Sequence, residues 1–115
     1  MPFIEIKTAN KLSAKQREGV KSGIGEIISM IPAKAEEKTM IAISDSMHIY
    51  FRGDEKESAA FVDVRLKDAA PFEDKAKFTE ALFTVLEQQA GIAKDDTYVS
   101  ISEFEEWGSR GALKK

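Results

Sequence analysis

Cysteine is absent from the 115 residues. That excludes a disulfide framework, thiolate metal sites and thiol catalysis. A single histidine, His48, leaves no multi-histidine metal site and argues against a Ser-His-Asp triad. Basic charge is in short supply: the formal net charge is −3, which argues against general nucleic-acid binding. No apolar run approaches the roughly 18 residues of a membrane span. The opening MPFIEIK has an early charge and no signal-peptide core, so a cytoplasmic location is the default expectation. What is present is ordinary for one soluble domain: 43% hydrophobic and 32% charged residues. A chain this short buries only about two-thirds of its unfolded surface by itself, which favours added burial by oligomerisation.

The most informative feature is an internal repeat at a spacing of 58 residues, the interval from Phe3 to Phe61. The segment Phe3-Ile4-Glu5-Ile6-Lys7 matches Phe61-Val62-Asp63-Val64-Arg65 in size, polarity and charge sign. The same interval links Val20, Ile24, Ile27 and Ile28 to Phe78, Leu82, Val85 and Leu86. It also links Thr39, Ile41, Ile43 and Ser44 to Thr97, Val99, Ile101 and Ser102, and Arg52-Gly53 to Arg110-Gly111. No gap is needed.

Each half reads as strand, helix, strand. Ile4 and Ile6 alternate with Glu5 and Lys7, the period of a half-buried strand. Ser13 and Gln16 have capping-box spacing. Val20, Ile24, Ile27, Ile28 and Ile31 share one helical face, and Pro32 ends the run. In the second half Pro71 suits a first helical turn and Gly91 a C-terminal cap. Gly19, Gly23 and Gly25 fit no phosphate loop and read as sites of close helix packing. A short extra strand is expected at His48 to Phe51, a charged turn over 53–58, and an irregular tail or short strand after Trp107. The expected architecture is α+β, a single domain over 1–115 made of two pseudo-symmetric βαβ units, about 2–53 and 60–111. These form a four-stranded mixed sheet with both helices on one face. The bare face would carry Glu5, Lys7, Asp63, Arg65, Met40, Ala42, Ser44, Tyr98, Ser100 and Ser102, a composition that suits a wet interface or a lumen.

Pro2 is the first candidate for chemistry. Removal of Met1 would leave a secondary amine on the end of a strand. An α-amino group has a reference pKa near 8, and burial lowers it, so that a neutral amine at pH 7 is a competent general base. With Met1 retained, the Pro2 nitrogen is an amide without basicity. If the first strands of the two units lie side by side and antiparallel, Pro2 lies across from Leu66, whose neighbouring backbone N–H would be placed to hold a substrate oxygen. Arg65 points to the other face, either in a cross-strand pair with Glu5 or in a binding role. Lys34 follows Pro32 at the same end, as a solvated lysine or a partner for a substrate carboxylate, and Lys38 is a weaker version of it. Tyr98 and Ser100 either pack at an interface or reach a neighbouring subunit's site. Trp107 either walls a pocket or anchors the tail. Glu103, Glu105 and Glu106 read as a solvated face, and His48 as a surface strand residue.

Taken together, the Met-Pro start on a strand, the two βαβ units, the total length and the WGSRG segment at residues 107–111 resemble the tautomerase superfamily over essentially the whole chain. Length and repeat are most similar to the branch of macrophage migration inhibitory factor, and the WGSRG segment is similar to the shorter 4-oxalocrotonate tautomerases. The resemblance implies a homotrimer with sites between subunits and Pro2 as a base in keto–enol tautomerisation. It implies no cofactor and no metal. By the same resemblance Lys34 is the pocket lysine, Leu66 supplies a substrate-binding amide, and Tyr98 comes from the neighbouring subunit. Ser100 stands where that branch has asparagine, and the branch's Cys-x-x-Cys is missing. The expected reaction is proton transfer on a small 2-oxo carboxylate of the phenylpyruvate type, with Trp107 closing the pocket. Two alternatives stand beside it: a catalytically silent oligomeric binding protein on the same fold, and a Pro2-dependent hydratase or dehalogenase acting on an unsaturated acid. The paired arginines of the latter branches are not matched cleanly by Arg65-Leu66-Lys67.

Overall fold

A computed structural model describes residues 1–115. Strand β1 (Pro2–Thr8) alternates buried and half-buried side chains as its period of two demands. Helix α1 (Ala14–Ile27) starts at Ser13, whose side chain accepts from the Gln16 N–H while the Gln16 side chain accepts from the Ser13 N–H. It ends earlier than Pro32 alone would require: Ile28–Met30 tighten into a 3-10 turn. Strand β2 (Met40–Ser44) completes the first unit. A small hairpin follows, β3 (Tyr50–Phe51) and β4 (Asp54–Glu55). His48 lies outside it, against expectation, and contacts Glu55 across the loop at 2.7 Å.

The second unit repeats the plan with β5 (Ala60–Lys67), α2 (Phe72–Ala90) and β6 (Thr97–Phe104). Pro71 is the residue before α2 and not its first turn. Gly91 ends the helix in the left-handed conformation, φ 68°, which costs a residue without Cβ little. Trp107 begins a second hairpin, β7 (Trp107–Ser109) and β8 (Ala112–Lys114), where an irregular tail was one expectation. The 58-residue interval holds from element to element. The 3-10 turns Glu36–Lys38 and Lys94–Asp96 are in register, as are Arg52 and Arg110, at φ 55° and 52°.

The four long strands form one mixed sheet in the order β2-β1-β5-β6. Strands β1 and β2 are parallel, as are β5 and β6, and β1 meets β5 antiparallel at the centre. One sheet face and both helices share the core. Ile4, Ile6, Val62, Val64 and Leu66 from the strands meet Val20 and Ile24 of α1 and Phe78, Leu82 and Leu86 of α2. The helices approach closely because α1 is thin where they cross: a Cβ on Gly23 would lie 2.7 Å from Val85 Cγ1, and one on Gly19 would meet Gln89. The opposite sheet face is bare, and Met40, Phe61 and Tyr98 stand exposed on it. Phe61 belongs there by strand parity with Asp63, an apolar addition to the expected composition of that face. No helix is long and apolar enough to cross a membrane.

Candidate active site

The antiparallel register puts Pro2 directly across from Leu66, and the parallel register puts Leu66 beside Glu103. Proline is tolerated there because the first residue of a strand loses no ladder hydrogen bond. Pro2 and Leu66 are both buried on the helix side, as their parity requires. Pro2 borders a cavity of about 980 Å3, lined also by Met1, Phe3, Phe104 and Trp107. The Phe104 and Trp107 rings lie 6.2 Å apart, so the turn between β6 and β7 forms an aromatic wall. Trp107 lines the cavity and also packs against Phe104.

Cations surround the chain terminus. Lys34 donates to the backbone oxygen of Lys67 at 2.9 Å, which brings it against the terminal amine. That amine is pushed down from 8.0 to about 6. Burial is the main cause, since the charged form loses hydration, and Lys34, Lys38 and Lys67 add like-charge repulsion and a hydrogen bond. Lys67 is itself buried, its ammonium paired with Asp68 at 2.8 Å. Lys34 borders the amine but does not line the cavity, whereas Lys38 does.

Arg65 also lines the cavity, but the expected pair with Glu5 does not form. The register sets Arg65 opposite Phe3 and Glu5 opposite Asp63. Arg65 therefore turns back two residues along its own strand to Asp63, at 3.1 Å, which relieves the repulsion between the facing carboxylates, and lies over the Phe3 ring. Tyr98 and Ser100 are not brought to Pro2 within one chain. Tyr98 is across from Phe61 and Ser100 from Asp63, toward the other end of the sheet and on its bare face. Tyr98 packs edge-on to Phe51, with ring centroids 5.0 Å apart.

Two further findings depart from the expected pattern. Glu103 is not merely solvated: it accepts from the Ala70 N–H at 2.6 Å and from Lys75 at 3.0 Å, and so ties the 68–71 turn to β6. These contacts hold its carboxyl below the ordinary glutamate range. Arg110 and Lys114 line the cavity, although their local sequence marks neither as a site residue. The Arg-Gly repeat at 52–53 and 110–111 is the signal that places Arg110 at a hairpin tip. No group of three or more histidine or carboxylate side chains converges as metal ligands would.

The fold class this geometry defines is a duplicated βαβ unit whose paired first strands lie antiparallel at the centre of one sheet. It is the fold of macrophage migration inhibitory factor and tautomerase-superfamily proteins. MIF2 of Leishmania major superposes with a TM-score of 0.90 at 24% identity, over 98% of this chain and 97% of that one. The macrophage migration inhibitory factor homologue of Prochlorococcus marinus gives 0.82 at 20% identity, over 98% and 99%. Malonate semialdehyde decarboxylase, a protein with decarboxylase and hydratase activities, gives 0.72 at 17% identity, over 96% and 91%. No protein-family model matches the chain, and no curated protein matches it in sequence.

Proposed function

We propose that the chain is a cofactor-independent tautomerase that acts on a small 2-oxo acid of the phenylpyruvate type, assembled as a homotrimer. The observation that carries this reading is the position of Pro2: a strand-terminal residue that lines the cavity, next to a Met1 amine that burial and lysines depress. Once Met1 is removed, the Pro2 nitrogen becomes a secondary amine one residue deeper in the same surroundings. A neutral amine there takes a proton from the carbon next to the substrate carbonyl. The carbonyl oxygen gains the negative charge, and the resulting ammonium returns the proton to that oxygen to complete the enol. Lys34 is assigned to the substrate carboxylate. The Leu66 backbone amide and Tyr98 of the neighbouring subunit are assigned to the oxygen on which charge develops, and Ser100 to a polar contact beside Tyr98. Trp107 closes the pocket and Arg65 borders it.

The test compares phenylpyruvate enolisation by chains with and without Met1, each verified by mass spectrometry. Activity confined to the processed chain supports the proposal. Equal activity with Met1 in place overturns it, and inactivity of the processed chain favours a silent binding protein.

A further inference from the structure

The duplication allows the chain to be compared with itself. At the tips of the two small hairpins Arg52-Gly53 and Arg110-Gly111 occupy equivalent turns, all four residues having positive φ: 55°, 85°, 52° and 81°. Two consecutive positive values define a tight turn of the I′ type, in which an arginine is strained and glycine is the relaxed choice. In the first hairpin the arginine is fully used. Arg52 donates to the Asp95 backbone oxygen at 2.8 Å, lies 4.4 Å over the Phe51 ring, and pairs with Asp96 at 3.5 Å. Lys56 pairs with the same Asp96 at 3.3 Å. One carboxylate thus sits between two cations.

The residues 58 positions on from Arg52 and Lys56 are Arg110 and Lys114, and the residue 58 positions before Asp96 is Lys38. All three line the cavity at Pro2. The plus-minus-plus cluster of one end therefore becomes plus-plus-plus at the other. Lys114 donates to the Ser109 backbone and side-chain oxygens at 2.7 and 3.0 Å, but none of Lys38, Arg110 and Lys114 forms an ion pair in this chain. Glu37 and Glu106 also border the cavity, without pairing to any of the three. Arg110 thus holds the same strained turn conformation as Arg52, with a third cation, Lys38, at the position equivalent to the counter-ion Asp96.

We propose that Lys38, Arg110 and Lys114 form an anion subsite that takes a second acidic group, carboxylate or phosphate, on the far end of the ligand from the reacting carbon. Within the 2-oxo acids, a dianion is then the preferred substrate and phenylpyruvate a weaker one. This rests on the tautomerase reading for the reaction, but the binding claim stands apart from it.

Binding to the processed chain is measured by calorimetry with three probes: 2-oxoglutarate, its analogue with a terminal phosphonate in place of the distal carboxylate, and 2-oxopentanoate, which lacks the distal charge. At least one dianion is expected to bind about tenfold or more tighter than the monoanion. The tighter of the two identifies the group. Lys38→Asp, an exposed substitution that copies the Arg52–Asp96–Lys56 cluster, is expected to erase the preference. Arg110→Gly, which relaxes the turn and so keeps the fold, is expected to erase most of it, while Arg52→Gly leaves it intact. Equal affinity for all three probes, or a preference that survives both Lys38→Asp and Arg110→Gly, overturns the subsite. If the preference is present but neither phenylpyruvate nor the preferred dianion is enolised, the reaction is wrong and the subsite stands. If phenylpyruvate is enolised and the preference is missing, the reaction stands and the subsite is wrong.

Discussion

Pro2 and Leu66 face each other across the only antiparallel pairing of the main sheet. The relation follows from the duplication: equivalent strands that meet antiparallel bring the start of one against the end of the other. It fixes the proposed base by sheet pairing and not by a loop. Replacing Pro2 with alanine in the processed chain leaves a primary amine at the same place. Phenylpyruvate enolisation should fall yet remain measurable. Blocking the amine should remove the whole contribution of a general base, about 100- to 10,000-fold.

The closeness of the helices gives a stability test. Alanine is the better helix former by up to about 1 kcal/mol. A Cβ on Gly23, however, would lie 2.7 Å from Val85 Cγ1. Overpacking of that kind costs about 1–3 kcal/mol. Gly23→Ala is therefore expected to lower the urea midpoint, and adding Val85→Ala should recover part of the loss.

Glu103 offers a second. Its carboxyl is held low first by the Ala70 N–H and then by Lys75. A carboxyl whose folded pKa is depressed contributes stability above its unfolded pKa, and that contribution is lost as pH falls through the folded value. Glu103→Gln should cost about 1 kcal/mol at neutral pH and progressively less in acid. Urea unfolding at several pH values measures both.

The terminal amine gives the same sign of pH dependence from a different cause, a penalty on its charged form. In a chain that retains Met1 its folded pKa is about 6 against 8.0 unfolded. Between those values the unfolded chain binds more protons, so stability should rise with pH across that window and level off above it. Replacing Lys34 with methionine removes a like charge and a hydrogen bond, so the amine should titrate higher, as NMR of the terminal residue would record.

The fold is legible in the sequence because both halves carry the same periodicities. Ile4 and Ile6, the Ser13–Gln16 cap and Gly91 each announce an element, and the repeated interval sets their order. The pairing partner of Arg65 is not legible. Strand parity places it on the right face, but only the register decides between Glu5 and Asp63. Glu103 reads as solvated for a related reason: its partners Ala70 and Lys75 lie about 30 positions away, outside its own strand, and nothing local marks them. Trp107 stands out because a tryptophan in a polar stretch needs a surface to pack on. Arg110 and Lys114 stay hidden because an exposed cation looks the same whether or not it has a counter-ion. Only the comparison with Arg52, Asp96 and Lys56 separates the two cases.

The central claim is that the Pro2 nitrogen serves as a base, and titrating that nitrogen tests it most directly. In processed chain labelled with 15N-proline, the Pro2 signal should titrate below about pH 7, and enolisation should rise with pH along the same curve. A Pro2 nitrogen that titrates well above about 7 would contradict the account and point to an acid role in hydration or dehalogenation.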